Sequence, residues 1–469
     1  MNHISIIRML AYMGIALGAS MILPLFVAIV ANEQQQILAF SLTGLLTLVM
    51  AVIILLLTGA PERPARVNDA LAVAVLWCFG APIPSALPFV FGTAEPSFMA
   101  ALHEAVACLT TTGHSVIDLA GNAWPASLLV WRGVLHFLGM MFSLTIAATV
   151  FAALGFSGPG IHKSYLFTVP EGNFFDALPR AMRAIFVICT TIILFVFSAL
   201  VSNGAGIGEA LSIGISVAST GLVSPDGYAN FNGNAVINTS IFIALFLSTA
   251  GLSILMSIRP KQLRYAKIDP ELYLLLGLIV FIALLNFSGG MAGLVSVGWA
   301  LSALSTSGLP LGVSIFDARS TLPLGVLVLP ALIGGAALST AGGIKLARII
   351  ILMRRAGQEF TRLGFQNSIV ALEFRQRQQK ETAVLGVWVY LIAYIAAVSG
   401  VFAVLSFLNV DFSEAIGQAT GAISNSGWLI TPADNPGGLY HLTLMAAMIL
   451  GRLEILALLP MLNPGFWRR

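Results

Sequence analysis

Charge is what this sequence lacks most. Lys and Arg number 23 and Asp and Glu 20 in 469 residues, 9 % of the chain, against about 25 % in soluble proteins. Apolar residues make up 58 %, where about 45–50 % is usual. So few charges cannot cover the outside of a water-soluble protein of this length. That excludes a string of soluble domains and leaves a bilayer as the surrounding medium. The net charge of +3 and the want of a basic run interleaved with aromatics exclude a nucleic-acid binder. Cysteine is nearly missing: Cys78, Cys108 and Cys189 sit within or beside apolar stretches and form neither a metal spacing nor a disulfide framework. Paired acid–base residues at membrane depth and a catalytic triad are also lacking, which argues against an enzyme. His103, Glu104 and His114 lie close in sequence. His103 and Glu104 leave a helix in different directions, so all three are expected to be ordinary residues of a half-helix and its mouth rather than metal ligands.

What the chain has instead is apolar runs of about 20 residues, the length that crosses hydrocarbon as a helix. Ten are placed at 8–30, 36–58, 69–91, 126–153, 182–202, 236–258, 271–288, 322–353, 383–408 and 440–460. The first follows a single Arg and lacks a small-residue cleavage site, so it reads as a span and not a removed signal peptide. Four shorter apolar segments, 98–112, 207–220, 291–307 and 412–426, cannot cross. They suit re-entrant half-helices, which membranes tolerate only inside protein or beside a water-filled cavity. Arg8, Arg63, Arg66, Lys163, Arg180, Arg183, the basic cluster at 259–267, the run from Lys345 to Lys380 and the closing Arg468 and Arg469 fall on one face; Arg132 and Arg319 fall on the other. The positive-inside rule makes the first face, with both termini, cytoplasmic. All four short segments then dip from the outer face.

Each short segment closes on hydroxyl residues and glycine: Thr110-Thr111-Thr112-Gly113, Ser219-Thr220-Gly221, Ser305-Thr306-Ser307-Gly308 and Ser424-Asn425-Ser426-Gly427. From residue 69 onward the order span, short segment, span occurs four times. The expected architecture is an all-α polytopic membrane protein with two leading helices (1–60) and four repeats at 61–165, 166–265, 266–365 and 366–469. A dehydrated cation needs a ring of oxygens in place of its water, and channels supply it from backbone at the ends of re-entrant helices. Glycine lets such a backbone reach left-handed conformations and approach an axis without a Cβ. Similar hydroxyl–glycine strings also occur inside spans, at Ser41-Thr43-Gly44, Ser248-Thr249-Gly251 and Ser339-Thr340-Gly342, so it is the fourfold recurrence that carries the reading.

With these loops in view, the sequence resembles the Trk/Ktr/HKT superfamily of potassium transporters, and within it the TrkH-type subunits, over almost its whole length. The first loop matches, as do Gly334-Gly335 with Ser339-Thr340-Ala341-Gly342-Gly343-Ile344-Lys345, and Gly451-Arg452-Leu453-Glu454-Ile455 with Pro464-Gly465-Phe466-Trp467-Arg468. It departs at His114, Leu222, Leu309 and Trp428 after the loop glycines, at Leu338 and Ala341, and at Gly139-Met140-Met141-Phe142. The resemblance implies a pseudo-fourfold pore within one chain, with potassium as substrate and no cofactor. Its filter would comprise Thr111, Thr112, Gly113, Ser219, Thr220, Gly221, Thr306, Ser307, Gly308, Asn425, Ser426 and Gly427. Gly334, Gly335, Gly342 and Gly343 would belong to an intramembrane loop that obstructs the pore, helped by Lys345 and by Arg452 facing the conduction path. Glu454, about 200° around a helix from Arg452, would face elsewhere. A homodimer in the bacterial cytoplasmic membrane and a separate TrkA-like, nucleotide-binding cytosolic partner are implied as well. Inverted repeats of a secondary transporter are the main alternative, and they would place loops on both faces; a cation pathway of the same fold that does not separate sodium from potassium is another.

Overall fold

Several helices begin at a side-chain cap, and several end at a glycine or a left-handed residue. The computed structural model describes residues 1–60, 64–93, 97–117, 124–151, 174–224, 228, 234–251, 269–311, 315–364, 373–374, 377–378, 381–431 and 437–454. The closing motif at 464–468 and the basic positions 63, 163, 259–267 and 380 lie outside them. The first expected span is two stacked helices, α1 (His3–Ser20) and α2 (Ile22–Val30), with Asn2 accepting from the Ser5 N–H at 3.2 Å to cap α1. α3 (Gln34–Leu57) follows. The next span is again in two pieces, α4 (Val67–Gly80) and α5 (Pro82–Gly92), with Pro82 in the first turn of α5, where a missing N–H costs nothing. Then come α6 (Phe98–Leu109), α7 (Ala126–Ile146), α8 (Leu178–Ser202), α9 (Ile207–Ser219) and α10 (Ala235–Ala250). Asp269 caps α11 (Pro270–Ser288) through the Glu271 N–H, 3.1 Å. α12 (Gly293–Leu304), α13 (Ile315–Thr321), α14 (Leu324–Ile333) and α15 (Leu346–Gly364) lead to a two-rung hairpin of β1 (Glu373–Phe374) and β2 (Arg377–Gln378). α16 (Glu381–Phe407), α17 (Phe412–Ile423) and α18 (Gly438–Arg452) complete the described chain.

Polarity is arranged inside out. Leu56, Leu194, Val280, Leu284, Ile392 and Phe407 stand exposed on long helices, while Glu104, Arg132, His136, Asn286 and Gln418 are wholly buried. Hydrocarbon as the outer medium accounts for both, since it accepts apolar side chains and rejects unpaired polar ones. Seven helical stretches among the described residues are long and apolar enough to cross a membrane. The expected spans at 236–258, 322–353 and 440–460 are not among them. Within 322–353 the helix stops at Gly334, whose φ is 73°, and resumes at Leu346 as the amphipathic α15. α10 stops at Gly251, φ 87°, and α18 at Arg452.

The short helices pack in a closed circuit. α6, α9, α12 and α17 each lie between the helix before and the helix after them: α5 and α7, α8 and α10, α11 and α14, α16 and α18. Each later helix also touches the next short helix: α7 meets α9, α10 meets α12, α14 meets α17, and α18 returns to α6.

Candidate functional site

The four short helices run 12 or 13 residues, about 18 Å at 1.5 Å per residue, well short of the roughly 30 Å hydrocarbon core. Their C-terminal halves are buried almost completely. Each runs into one non-glycine residue with left-handed backbone: Thr111 (φ 54°), Thr220 (55°), Thr306 (63°) and Asn425 (54°). The next N–H turns back on its own helix in all four: Thr112 to Ala107 O (2.8 Å), Gly221 to Ser216 O (3.2 Å), Ser307 to Ser302 O (3.2 Å) and Ser426 to Gly421 O (2.7 Å). Left-handed backbone at such residues costs on the order of 1–3 kcal/mol and persists only where the surroundings enforce it. Four instances at equivalent places mark a built feature.

That shared backbone sets a register the glycines alone do not. Thr112, Gly221, Ser307 and Ser426 correspond, and so do Gly113, Leu222, Gly308 and Gly427. The second loop is offset by one residue, with Leu222 where the others have glycine. Close approach explains the glycines. A Cβ on Gly113 would stand 2.5 Å from Leu222 N, one on Gly221 2.1 Å from Thr111 O, one on Gly308 2.5 Å from the Trp428 side chain, and one on Gly427 2.2 Å from Thr112 O. The first loop therefore abuts the second and the fourth, and the fourth abuts the third. Gly427 N donates to Thr112 O at 3.1 Å and Asn425 Nδ2 to Thr112 Oγ1 at 3.0 Å, tying residues more than 300 positions apart.

Beneath these loops runs the glycine-rich break between α14 and α15. Gly342 donates its N–H to Thr306 Oγ1 (3.1 Å), and a Cβ there would lie 1.7 Å from Ser424 O. Gly334 and Gly343 have φ of 73° and 78°, and Leu346 N returns to Gly335 O at 3.0 Å. Lys345 folds its ammonium onto the carbonyls of Ser339 and Ala341. Arg452, the last residue of α18, donates to Thr340 O and to Ser143 Oγ, each at 2.8 Å. The loop, Ser143, Asn425 and Arg452 enclose a cavity of about 30 Å³.

Comparison with known proteins follows the same outline. No family model matches the chain. The curated Trk system potassium uptake protein TrkH of Salmonella typhimurium is 26 % identical, with all of both chains aligned, and that of Escherichia coli K12 is 25 % identical over the same full extent. The Trk system potassium uptake protein TrkI of Halomonas elongata is 24 % identical, covering 99 % of this chain and 97 % of its own. Over its full length the chain is similar to the TrkH-type Trk proteins. The crystal structure of the potassium transporter TrkH from Vibrio parahaemolyticus matches the fold from end to end, with a TM-score of 0.85 at 22 % identity.

Several residues of this chain escaped the sequence reading. Arg132, in α7, is fully buried and ion-paired to Glu104. Counting it among outer-face charges hid it. The helical separation expected of Arg452 and Glu454 does not apply: α18 has ended, Glu454 is left-handed (φ 55°), its carboxylate pairs with Arg348, and both residues line the same cavity. Glu271, at the start of α11, accepts the Ala337 N–H at 2.9 Å and so holds the glycine-rich break. His103 is packed edge-on between His114 and His441, with ring centres 5.6 and 5.3 Å away. Among the described residues no group of His, Cys, Asp and Glu is arranged to hold a metal.

Proposed function

We propose that this chain carries potassium across the cytoplasmic membrane through a pore that its four loops close within one polypeptide. The observation that carries the reading is the recurrence of one left-handed loop conformation at Thr111, Thr220, Thr306 and Asn425, with the loops in mutual contact. Left-handed backbone at the end of a short buried helix turns carbonyl oxygens away from the helix ladder and leaves them for an ion. The partly negative C-terminal end of each helix favours a cation there. The potassium-binding stretch comprises Thr111 to Gly113, Thr306 to Gly308 and Asn425 to Gly427, and in the second loop Thr220 to Leu222, one residue beyond the expected Ser219 to Gly221. Each has one glycine, so few ion sites form and selection between potassium and sodium is looser than in a longer glycine filter. The names of the relatives supply the ion.

The ten-span layout, with repeats at 61–165, 166–265, 266–365 and 366–469 after two leading helices, belongs to this proposal; the closed circuit of helix contacts supports it. So does a gate. The loop bearing Gly334, Gly335, Gly342 and Gly343 lies against Thr306 and Ser424, pinned by Lys345 and Arg452. A cavity of only about 30 Å³ beneath the loops holds no more than a few waters, which suits a closed pore. A homodimer with a nucleotide-binding cytosolic partner on the face of α15 completes the reading, on family resemblance. The test is potassium-limited growth of a cell stripped of its own potassium importers. Expression should restore growth, and Gly113→Val and Gly427→Val should abolish the rescue at equal membrane abundance. Rescue by both variants at wild-type rate would remove the loops from the pathway.

A further inference from the structure

Arg132 and Glu104 are charged, wholly buried and paired with each other, an arrangement that stability alone does not explain. Replacing a buried ion pair by apolar residues of similar volume is often neutral or stabilising. What this pair does hold is backbone. Arg132 Nε donates to Val223 O at 2.6 Å, and its Nη2 donates to Gly113 O and Leu222 O at 3.3 and 3.4 Å. Glu104 accepts from Ser115 Oγ at 2.9 Å and from Val116 N at 3.3 Å. The two side chains thus reach from α6 and α7 to the outgoing strands of both the first and the second loop. The Arg132 guanidinium also lies 5.5 Å from the centre of the Trp124 ring.

The other repeats lack this charge. Seven residues before the left-handed position stand Glu104, Ile213, Trp299 and Gln418. Ile213 is core, Trp299 packs on Trp428 with ring centres 5.2 Å apart, and Gln418 Nε2 donates to Thr431 Oγ1 at 2.9 Å. The place of Arg132 can be matched through Gly139 and Gly451. Each stands where a Cβ would lie 2.0 Å from a carbonyl near the end of a short helix, Leu109 O and Ile423 O respectively. Seven residues before Gly139 is Arg132; seven before Gly451 is the buried Leu444.

We propose that Arg132 and Glu104 are a positioning pair: their bonds fix the carbonyls of Gly113, Leu222 and Val223 and thereby set how well the pore separates potassium from sodium. The proposal rests on the four-loop pore. A guanidinium fork holds two or three acceptors at fixed angles. Carbonyls held this way do not swing inward to suit a smaller ion. Freed of the fork they follow the ion, and discrimination by size falls.

The experiment uses full-length protein in liposomes, with potassium and sodium fluxes measured side by side. Arg132→Lys keeps the charge but replaces the fork with a point donor. Glu104→Leu with Arg132→Met removes both charges at once and leaves no unpaired ion. In both, the potassium-to-sodium flux ratio is expected to fall on the order of tenfold, what about 1.4 kcal/mol of lost discrimination gives. Exchanging the two residues, Glu104→Arg with Arg132→Glu, keeps the ion pair but moves the donors away from Leu222 and Val223, and it should not restore the ratio. Gly427→Ala is the control for the pore itself. If it alters flux while Arg132→Lys leaves the ratio at the wild-type value, the positioning role is wrong and the pore stands. If neither change alters flux or ratio, the pore reading has failed first. Recovery of the ratio in the exchanged protein would show that charge, not the fork, is what matters, and would also overturn the proposal.

Discussion

Arg348 and Glu454 join α15 to the residues that follow α18. Their side chains are ion-paired, and the Arg348 guanidinium lies 3.9 Å from the Tyr390 ring centre. Removing one partner of such a pair strands a charge away from water. Glu454→Ala is expected to cost about 3–5 kcal/mol, whereas Arg348→Met with Glu454→Leu should be close to neutral. Thermal unfolding in detergent reads the difference, and equal melting temperatures for the two variants would contradict it. Glycines give a second contrast at this scale. A Cβ at Gly139 or Gly451 would lie 2.0 Å from a backbone carbonyl, while Gly277 and Gly400 have open space. Alanine at the first two should lower thermal stability and potassium uptake together. At the last two it should leave both unchanged or raise stability, because alanine is the better helix former.

At the scale of elements, sequence patterning located the four short helices to within a few residues, since their apolar character and their length set them apart from spans. It could not fix the register of the second loop. Ser219 and Thr220 put a hydroxyl at both candidate positions, and only the left-handed Thr220 decides between them. The break at 334–343 was expected from the family resemblance of its glycine pairs, while apolar patterning alone read 322–353 as one span. The helix end at Arg452 was not, because the residues after it read as a continued span. The Arg132–Glu104 pair stayed hidden for another reason: its partners come from α6 and α7 and from two loops, and no local pattern links them. The break yields its own prediction. Arg452 holds the loop through Thr340 O and anchors it to α7 through Ser143 Oγ. Arg452→Gln should raise potassium flux in the absence of any cytosolic partner, since it removes a positive charge and one restraint. Shortening the loop between Gly335 and Gly342 should raise open probability in single-channel recordings. An unchanged open probability would place the gate elsewhere.

The whole molecule is a circuit in which α7, α10, α14 and α18 each bridge to the next short helix, and the last closes on the first. Such closure needs no second chain for a pathway, so a dimer would hold one pore per chain. It also makes the four loops interdependent, because Gly427 N and Asn425 Nδ2 both bond to Thr112. Disturbing the fourth loop disturbs the first. The measurement that bears most directly on a four-loop pore is potassium flux into liposomes holding the purified chain, compared between wild type, Gly113→Ala and Gly427→Ala at matched incorporation. The expected result is a saturable potassium flux in the wild type that falls at least several-fold in each variant, with sodium competing better in what remains. Equal flux and equal sodium competition in all three proteins would contradict it.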